Sequence, residues 1–197
     1  MSRVVQPVRL AAAFATLAMP LVLSGCGETV SAPKAFAEYH SKDGRFSCDY
    51  PKGWEADGAG TESSPSSWAK FTKGPAEIRI DADLAGSLMG DIQRSASERM
   101  GGEAEPPVAS LHERGQKAMA EEYSKYEERD PKAVTCGLGE ARRSTFIATG
   151  ALGGKVYGYR ATALSNDRRI TVVCTCPASN WQALKPAFEK VIASLRR

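Results

Sequence analysis

Around a polar break at residues 41–44, apolar and polar side chains alternate, with Phe46, Cys48 and Tyr50 on one side of the second run. That two-residue period is the mark of a strand with one buried face. Asp43-Gly44 in the break predicts a β-hairpin of residues 36–40 and 45–50. Pro51-Lys52-Gly53-Trp54 ends the second strand, and Trp54 is expected beneath the sheet. Residues 56–67, rich in Gly, Ser and Glu, read as an exposed loop. Short strands follow at 68–72 and 76–82, the latter with Ile78 and Ile80 on one side.

The period then changes. Leu84, Leu88, Ile92, Ala96 and Met100 recur at every fourth position and predict a helix, closed by Gly101-Gly102 and followed by a loop with Pro106-Pro107. Leu111, Ala118, Met119, Tyr123 and Tyr126 predict a second helix, weakened in its first turn by Gly115. Its outer side is highly charged, and Glu121, Glu122, Glu127 and Glu128 read as a solvated helix face. Three strands follow at 140–149, 155–164 and 168–176, joined by turn-like segments, so an antiparallel meander is expected. Ile170, Val172, Cys174 and Cys176 share one face of the last strand, and Pro177 stops it. Trp181, Leu184, Phe188, Val191, Ile192 and Leu195 mark a C-terminal amphipathic helix. Pro186 falls within it and calls for a kink or a start near Lys185. The order of elements is that of an α+β domain: a central antiparallel β-sheet flanked by helices.

At 197 residues, the chain has room for one such domain plus terminal segments. Apolar residues at 42% and charged residues at 25% are ordinary for a globular protein. The net charge of +3 is unevenly spread: residues 131–197 carry about +8 and residues 27–130 about −7. No basic cluster is interleaved with aromatics, which argues against nucleic acid as a partner.

The first 25 residues differ from the rest. Arg3 and Arg9 precede an apolar, small-residue stretch from residue 10 to residue 25, too short for a membrane span. It ends in Leu23-Ser24-Gly25-Cys26, which resembles the lipobox of bacterial lipoprotein precursors. The resemblance implies a signal peptide over residues 1–25, cleavage before Cys26 and lipidation of its thiol. Residues 26–35 are then the lipidated cysteine and a tether, and 36–197 the single domain. Several acyl chains, at ~0.8 kcal/mol per buried methylene, make a stable membrane anchor. Gly27 in place of Asp, by similarity to enterobacterial sorting, implies the outer membrane and a periplasmic domain.

An oxidising compartment bears on Cys48, Cys136, Cys174 and Cys176, for which three pairings into two bridges are open. At least one disulfide is the leading expectation. Buried reduced thiols, or a redox or metal site using Cys174 and Cys176, are the alternatives. His40 and His112 stand in no recognisable catalytic constellation and read as surface residues. No catalytic residue, metal site or cofactor is assigned. Among the basic residues of the meander, Arg142 and Arg143 point to opposite faces. Arg160 with one residue of each neighbouring pair, as in Arg142, Arg160 and Arg169, would align across it. They are candidates for an anionic partner: lipid headgroups, cell-wall polymer or an acidic protein surface.

The run Phe-Ser-Cys-Asp-Tyr-Pro-Lys-Gly-Trp at 46–54 is similar to the opening of the PsbP-like family. The meander, Cys176-Pro177, and the helix with Trp181, Phe188 and Ser194-Leu195 resemble that family's ending. The resemblance spans residues 36–197 and implies a PsbP-like α/β/α sandwich. Members include a photosystem extrinsic subunit, a Ran-binding import factor and bacterial lipoproteins. None of their functional residues has a match here, so the resemblance carries the fold alone. The expected function is a lipid-anchored, non-catalytic binding or assembly module of the cell envelope. The alternatives are a thiol-based redox or metal-binding protein and a carrier with a small-ligand pocket between sheet and helix.

Overall fold

The computed structural model describes residues 29–83, 106–129, 131–150, 153–165 and 168–197. The expected leader, the lipobox from Leu23 through Cys26 and the helix at 84–100 lie outside the described residues. The hairpin forms as expected. Strands β1 (Phe36–His40) and β2 (Ser47–Pro51) pair antiparallel, with Gly44 at φ 68° in the turn between them. They make a small sheet of their own, tied to the chain's end by a bridge between Ser47 and Arg196.

Strands β3 (Glu55–Ala59), β4 (Ser66–Lys73) and β5 (Ala76–Asp83) continue the chain into the main sheet. The segment expected as a loop at 56–67 is therefore partly strand, because Gly58 and Ala59 pair with Ala69 and Trp68. After helix α1 (Pro107–Glu122) come β6 (Ser124–Glu128) and β7 (Lys132–Cys136). Then follows the expected meander, β8 (Gly139–Thr149), β9 (Lys155–Ser165) and β10 (Arg168–Pro177). The main sheet runs β3-β4-β5-β10-β9-β8-β6, with β7 also on β8, and every pairing is antiparallel. One turn of 3₁₀ helix then leads into helix α2 (Trp181–Ala193), which starts before Pro186 and carries it inside.

The two-residue period sorts the sheet into two faces. Ile78, Ile80, Tyr159, Ala161, Val172 and Cys174 face α2 and the hairpin and form the larger core. Trp54 joins it edge-on against Phe188, as expected, with centroids 6.4 Å apart. Each fully buried Ile, Val or Phe among them contributes ~1.5–3 kcal/mol to folding. The opposite face is mixed. Phe146, Ala148, Val173 and Met119 form a smaller cluster under α1, and polar residues occupy the rest. Gly158 makes that cluster possible, since a Cβ there would lie 2.4 Å from the Phe146 ring and 2.4 Å from the Cys174 carbonyl oxygen.

Candidate functional site

The α1-facing side of the meander carries Ser144 on β8, Arg160 and Thr162 on β9, and Thr171 and Arg169 on β10. Helix α1 lays His112 across them. His112 is 1% exposed, which corrects its reading as a surface residue: one turn into α1, its position points straight at the sheet. Its Nδ1 lies 2.9 Å from Thr162 Oγ1 and its Nε2 2.7 Å from Ser144 Oγ. Glu128 comes in from β6, with Oε1 3.5 Å from His112 Nε2. That oxygen accepts from Arg160 Nε and Nη2 at 3.1 and 2.8 Å, while Oε2 accepts from the Tyr126 hydroxyl at 2.9 Å.

Glu127 and Glu128 are thus not on a helix face. Helix α1 ends at Glu122, Tyr123 is extended, and the next five residues form an edge strand. A bulge decides which glutamate enters. Ser124 pairs with Thr149 but Glu127 with Ile147, so one extra residue is inserted between them; Lys125 sits in the left-handed region at φ 49°. Without that residue, Glu127 would stand opposite Phe146 in place of Glu128.

Burial pushes the Glu128 carboxyl up. Hydrogen bonds from His112 and Ser144 and the Arg160 charge outweigh this and hold it at about 2. His112 is shifted down, first by burial, with Glu128 opposing and Arg160 and Arg142 adding to it. A neutral imidazole with its proton on Nε2 fits all partners: Nε2 donates to Ser144, and Thr162 donates to Nδ1. This is not a nucleophile triad. The carboxylate shares Nε2 with the serine, the orienting position at Nδ1 holds a hydroxyl, and Ser144 is buried.

Beside this network, between α1 and strands β4, β5, β9 and β10, lies a cleft of about 410 Å³. Its floor includes the cross-strand pair Thr162 and Thr171, flanked by Arg160 and Arg169. Leu111 and Met119 wall it from the helix, and Trp68 stands half-open at its rim. Arg79 holds Glu122 bidentately at 2.8 Å for both bonds, clamping the end of α1 to β5. Among the described residues, two buried guanidinium nitrogens beneath the floor, Arg160 Nη1 and Arg169 Nε, have no acceptor.

The expected arginine alignment is present, but not as an exposed anion patch. Arg142, Arg160 and Arg169 share a face, and each is bound to a carboxylate: Glu140 at 3.0 Å, Glu128 at 2.8 Å and Asp83 at 2.8 Å. Arg160 is 2% exposed. The expected disulfide is likewise absent: Cys48, Cys136, Cys174 and Cys176 are all buried free thiols. Cys48, Cys174 and Cys176 serve as small apolar side chains of the α2-side core, and the Cys136 thiol donates to the Gly139 carbonyl at 3.6 Å. Burial pushes Cys48 and Cys176 up to about 12 and raises Cys174 as well, the opposite of an activated thiolate. Among the described residues, no group of three or more His, Cys, Asp or Glu is placed to hold a metal ion.

A hairpin-tied antiparallel sheet between two helices, with its polar groups turned inward, defines an α+β sandwich of the PsbP-like kind. The solution structure of cyanobacterial PsbP from Synechocystis sp. PCC 6803 superposes with a TM-score of 0.58 at 12% identity, over 88% of this chain and 98% of that one. A second likeness, at TM-score 0.46 and 10% identity, is LpqN, involved in cell envelope biogenesis of Mycobacterium tuberculosis; it spans 82% of this chain and 90% of that one. No family profile matches the chain, and no curated protein matches its sequence. The PsbP-like fold expected from residues 46–54 and the C-terminal elements is the fold observed.

Proposed function

We propose that the chain is a lipid-anchored protein of the bacterial cell envelope. In this reading Cys26 carries the acyl chains and the domain is a non-catalytic binding or assembly module on the periplasmic side. Leu23-Ser24-Gly25-Cys26 supports the anchor, and Gly27 favours the outer membrane. What carries the binding reading is a contrast on the α1 side of the sheet. The groups that resemble catalytic machinery, His112, Ser144 and Glu128, are bonded to one another at the base of a pocket of about 280 Å³. The larger cleft next to them, of about 410 Å³, is lined by apolar Leu111 and Met119 and by basic Arg160 and Arg169. A ligand or partner segment that brings an acceptor to the accessible part of the Arg169 guanidinium gains a charge-assisted hydrogen bond there. An envelope protein or an anionic ligand fits that description.

Two measurements test this. Mass spectrometry of the protein from its own membranes should find residues 1–25 removed and Cys26 acylated; an unmodified Cys26 overturns the anchor. A photo-crosslinker at Trp68, on the cleft rim, should capture an envelope component that the same group at Lys52 does not. Equal capture from both positions overturns the cleft as the binding face.

A further inference from the structure

The expected tether is not wholly free of the domain. Val30 is 5% exposed and packs into the α2-side core, so the chain is fastened to the fold only four residues after Cys26. At about 3.5 Å per residue, four residues reach at most about 14 Å. An anchor at Cys26 therefore holds the Val30 end of the domain near the bilayer, at a distance comparable with the roughly 10 Å Debye length at 0.1 M salt. The charged side chains that line the surface beside Val30 are all basic, with exposed Glu55 outside that lining. A shallow groove there is lined by residues 29–34 together with Lys52, Gly53, Trp54 and Lys73. It contains Lys34, Lys52 and Lys73 and no carboxylate. All three lysines are exposed, and none forms an ion pair with the described residues. Lys190 lies close by, its ammonium 4.0 Å from the Phe36 ring centroid.

From the short tether and this uncompensated charge we infer that Lys34, Lys52 and Lys73 form a membrane-facing surface. It lies against anionic phospholipid headgroups of the leaflet that holds the anchor. This rests on the lipid-anchor reading above and adds to it an orientation. The lysines rest on the headgroups, while α1, on the opposite face of the sheet, points to the periplasm with its cleft open to partners. Lysine ammoniums within a Debye length of an anionic leaflet are drawn to it, and added salt weakens the attraction.

The test uses the full lipidated protein reconstituted into vesicles of phosphatidylcholine, alone or with about one third phosphatidylglycerol. Flotation with both vesicle types reports the anchor by itself, so its failure is told apart from failure of the surface. Lysine acylation by a water-soluble reagent, read residue by residue by mass spectrometry, reports the surface. In the phosphatidylglycerol vesicles, acylation of Lys34, Lys52 and Lys73 should slow at least about threefold relative to Lys117 on α1, and 1 M salt should restore it. Substituting glutamine for any two of the three lysines, all exposed and therefore tolerated by the fold, should release the third to the rate seen in phosphatidylcholine. Equal rates in the two vesicle types, or protection that survives high salt, would overturn the assignment.

Discussion

Glu128 meets Arg160 through a single oxygen: Oε1 accepts from Nε at 3.1 Å and from Nη2 at 2.8 Å, both side chains being under 5% exposed. The pair joins edge strand β6 to the middle of the meander, beneath α1. Burying two charges is costly, and removing one partner strands the other, which typically costs about 3–5 kcal/mol. Glu128→Gln should therefore destabilise the domain on that scale in urea unfolding. Glu128→Leu combined with Arg160→Met should recover much of it. If the single variant loses less than about 1 kcal/mol, the ion pair is not the tie that holds β6.

Gly158 is the point where β9 lets an aromatic ring lie flat on the sheet. With a methyl group at that position, either the Phe146 ring or the Cys174 carbonyl must move, each standing 2.4 Å from the added Cβ. One neighbour is backbone, so relaxation is limited. Gly158→Ala should cost about 1–3 kcal/mol, with the loss concentrated in the cluster of Met119, Tyr126 and Phe146 under α1. Wild-type stability for this variant would mean that the ring has room to shift.

The α2 side of the sheet was legible because it obeys a strict period of two. Ile78 and Ile80, then Ile170, Val172, Cys174 and Cys176, alternate with residues that are polar except for Val173, and land in one core. The α1 side was not, because beside Phe146, Ala148 and Val173 its buried positions are polar. Ser144, Arg160 and Thr162 look like solvated strand residues until a helix from elsewhere covers them, and His112 gives no sign of burial in its own neighbourhood. Register added a second obstacle. The bulge at Lys125 cannot be seen in a run of polar residues, yet it selects Glu128 over Glu127. Gly115 carried the one signal available. Placed in a helix against propensity, it marks where the Arg160 guanidinium passes under α1, since a Cβ there would lie 2.6 Å from Nη1.

The four cysteines of the domain should behave as inert core residues. Buried thiols shifted to about 12, as for Cys48 and Cys176, hold almost no thiolate at pH 8. A thiol reagent at that pH should leave the folded protein nearly untouched, with Cys136, the most accessible of the four at 8%, reacting first. After unfolding in guanidinium without reductant, all four should react. A count of two or none after unfolding would show that bridges form in the isolated protein.

Acid should weaken the domain in two stages. His112 is held neutral by burial, so its folded pKa lies below the ordinary 6.5. The unfolded chain takes up a proton there that the folded one refuses; its contribution is complete above about pH 6.5 and shrinks as pH falls below that value. Glu128 is held at about 2 against 4.5, so its contribution is present above pH 4.5 and is lost as pH falls from there toward 2. Denaturant midpoints measured between pH 8 and pH 3 should stay level down to about 7, decline once pH falls below about 6.5, and steepen below 4.5. His112→Gln, whose amide can both donate to Ser144 and accept from Thr162, should flatten the upper stage and leave the lower one in place. If the variant keeps the decline between pH 7 and pH 5, the proton is taken up elsewhere and the network is not the acid-sensitive element.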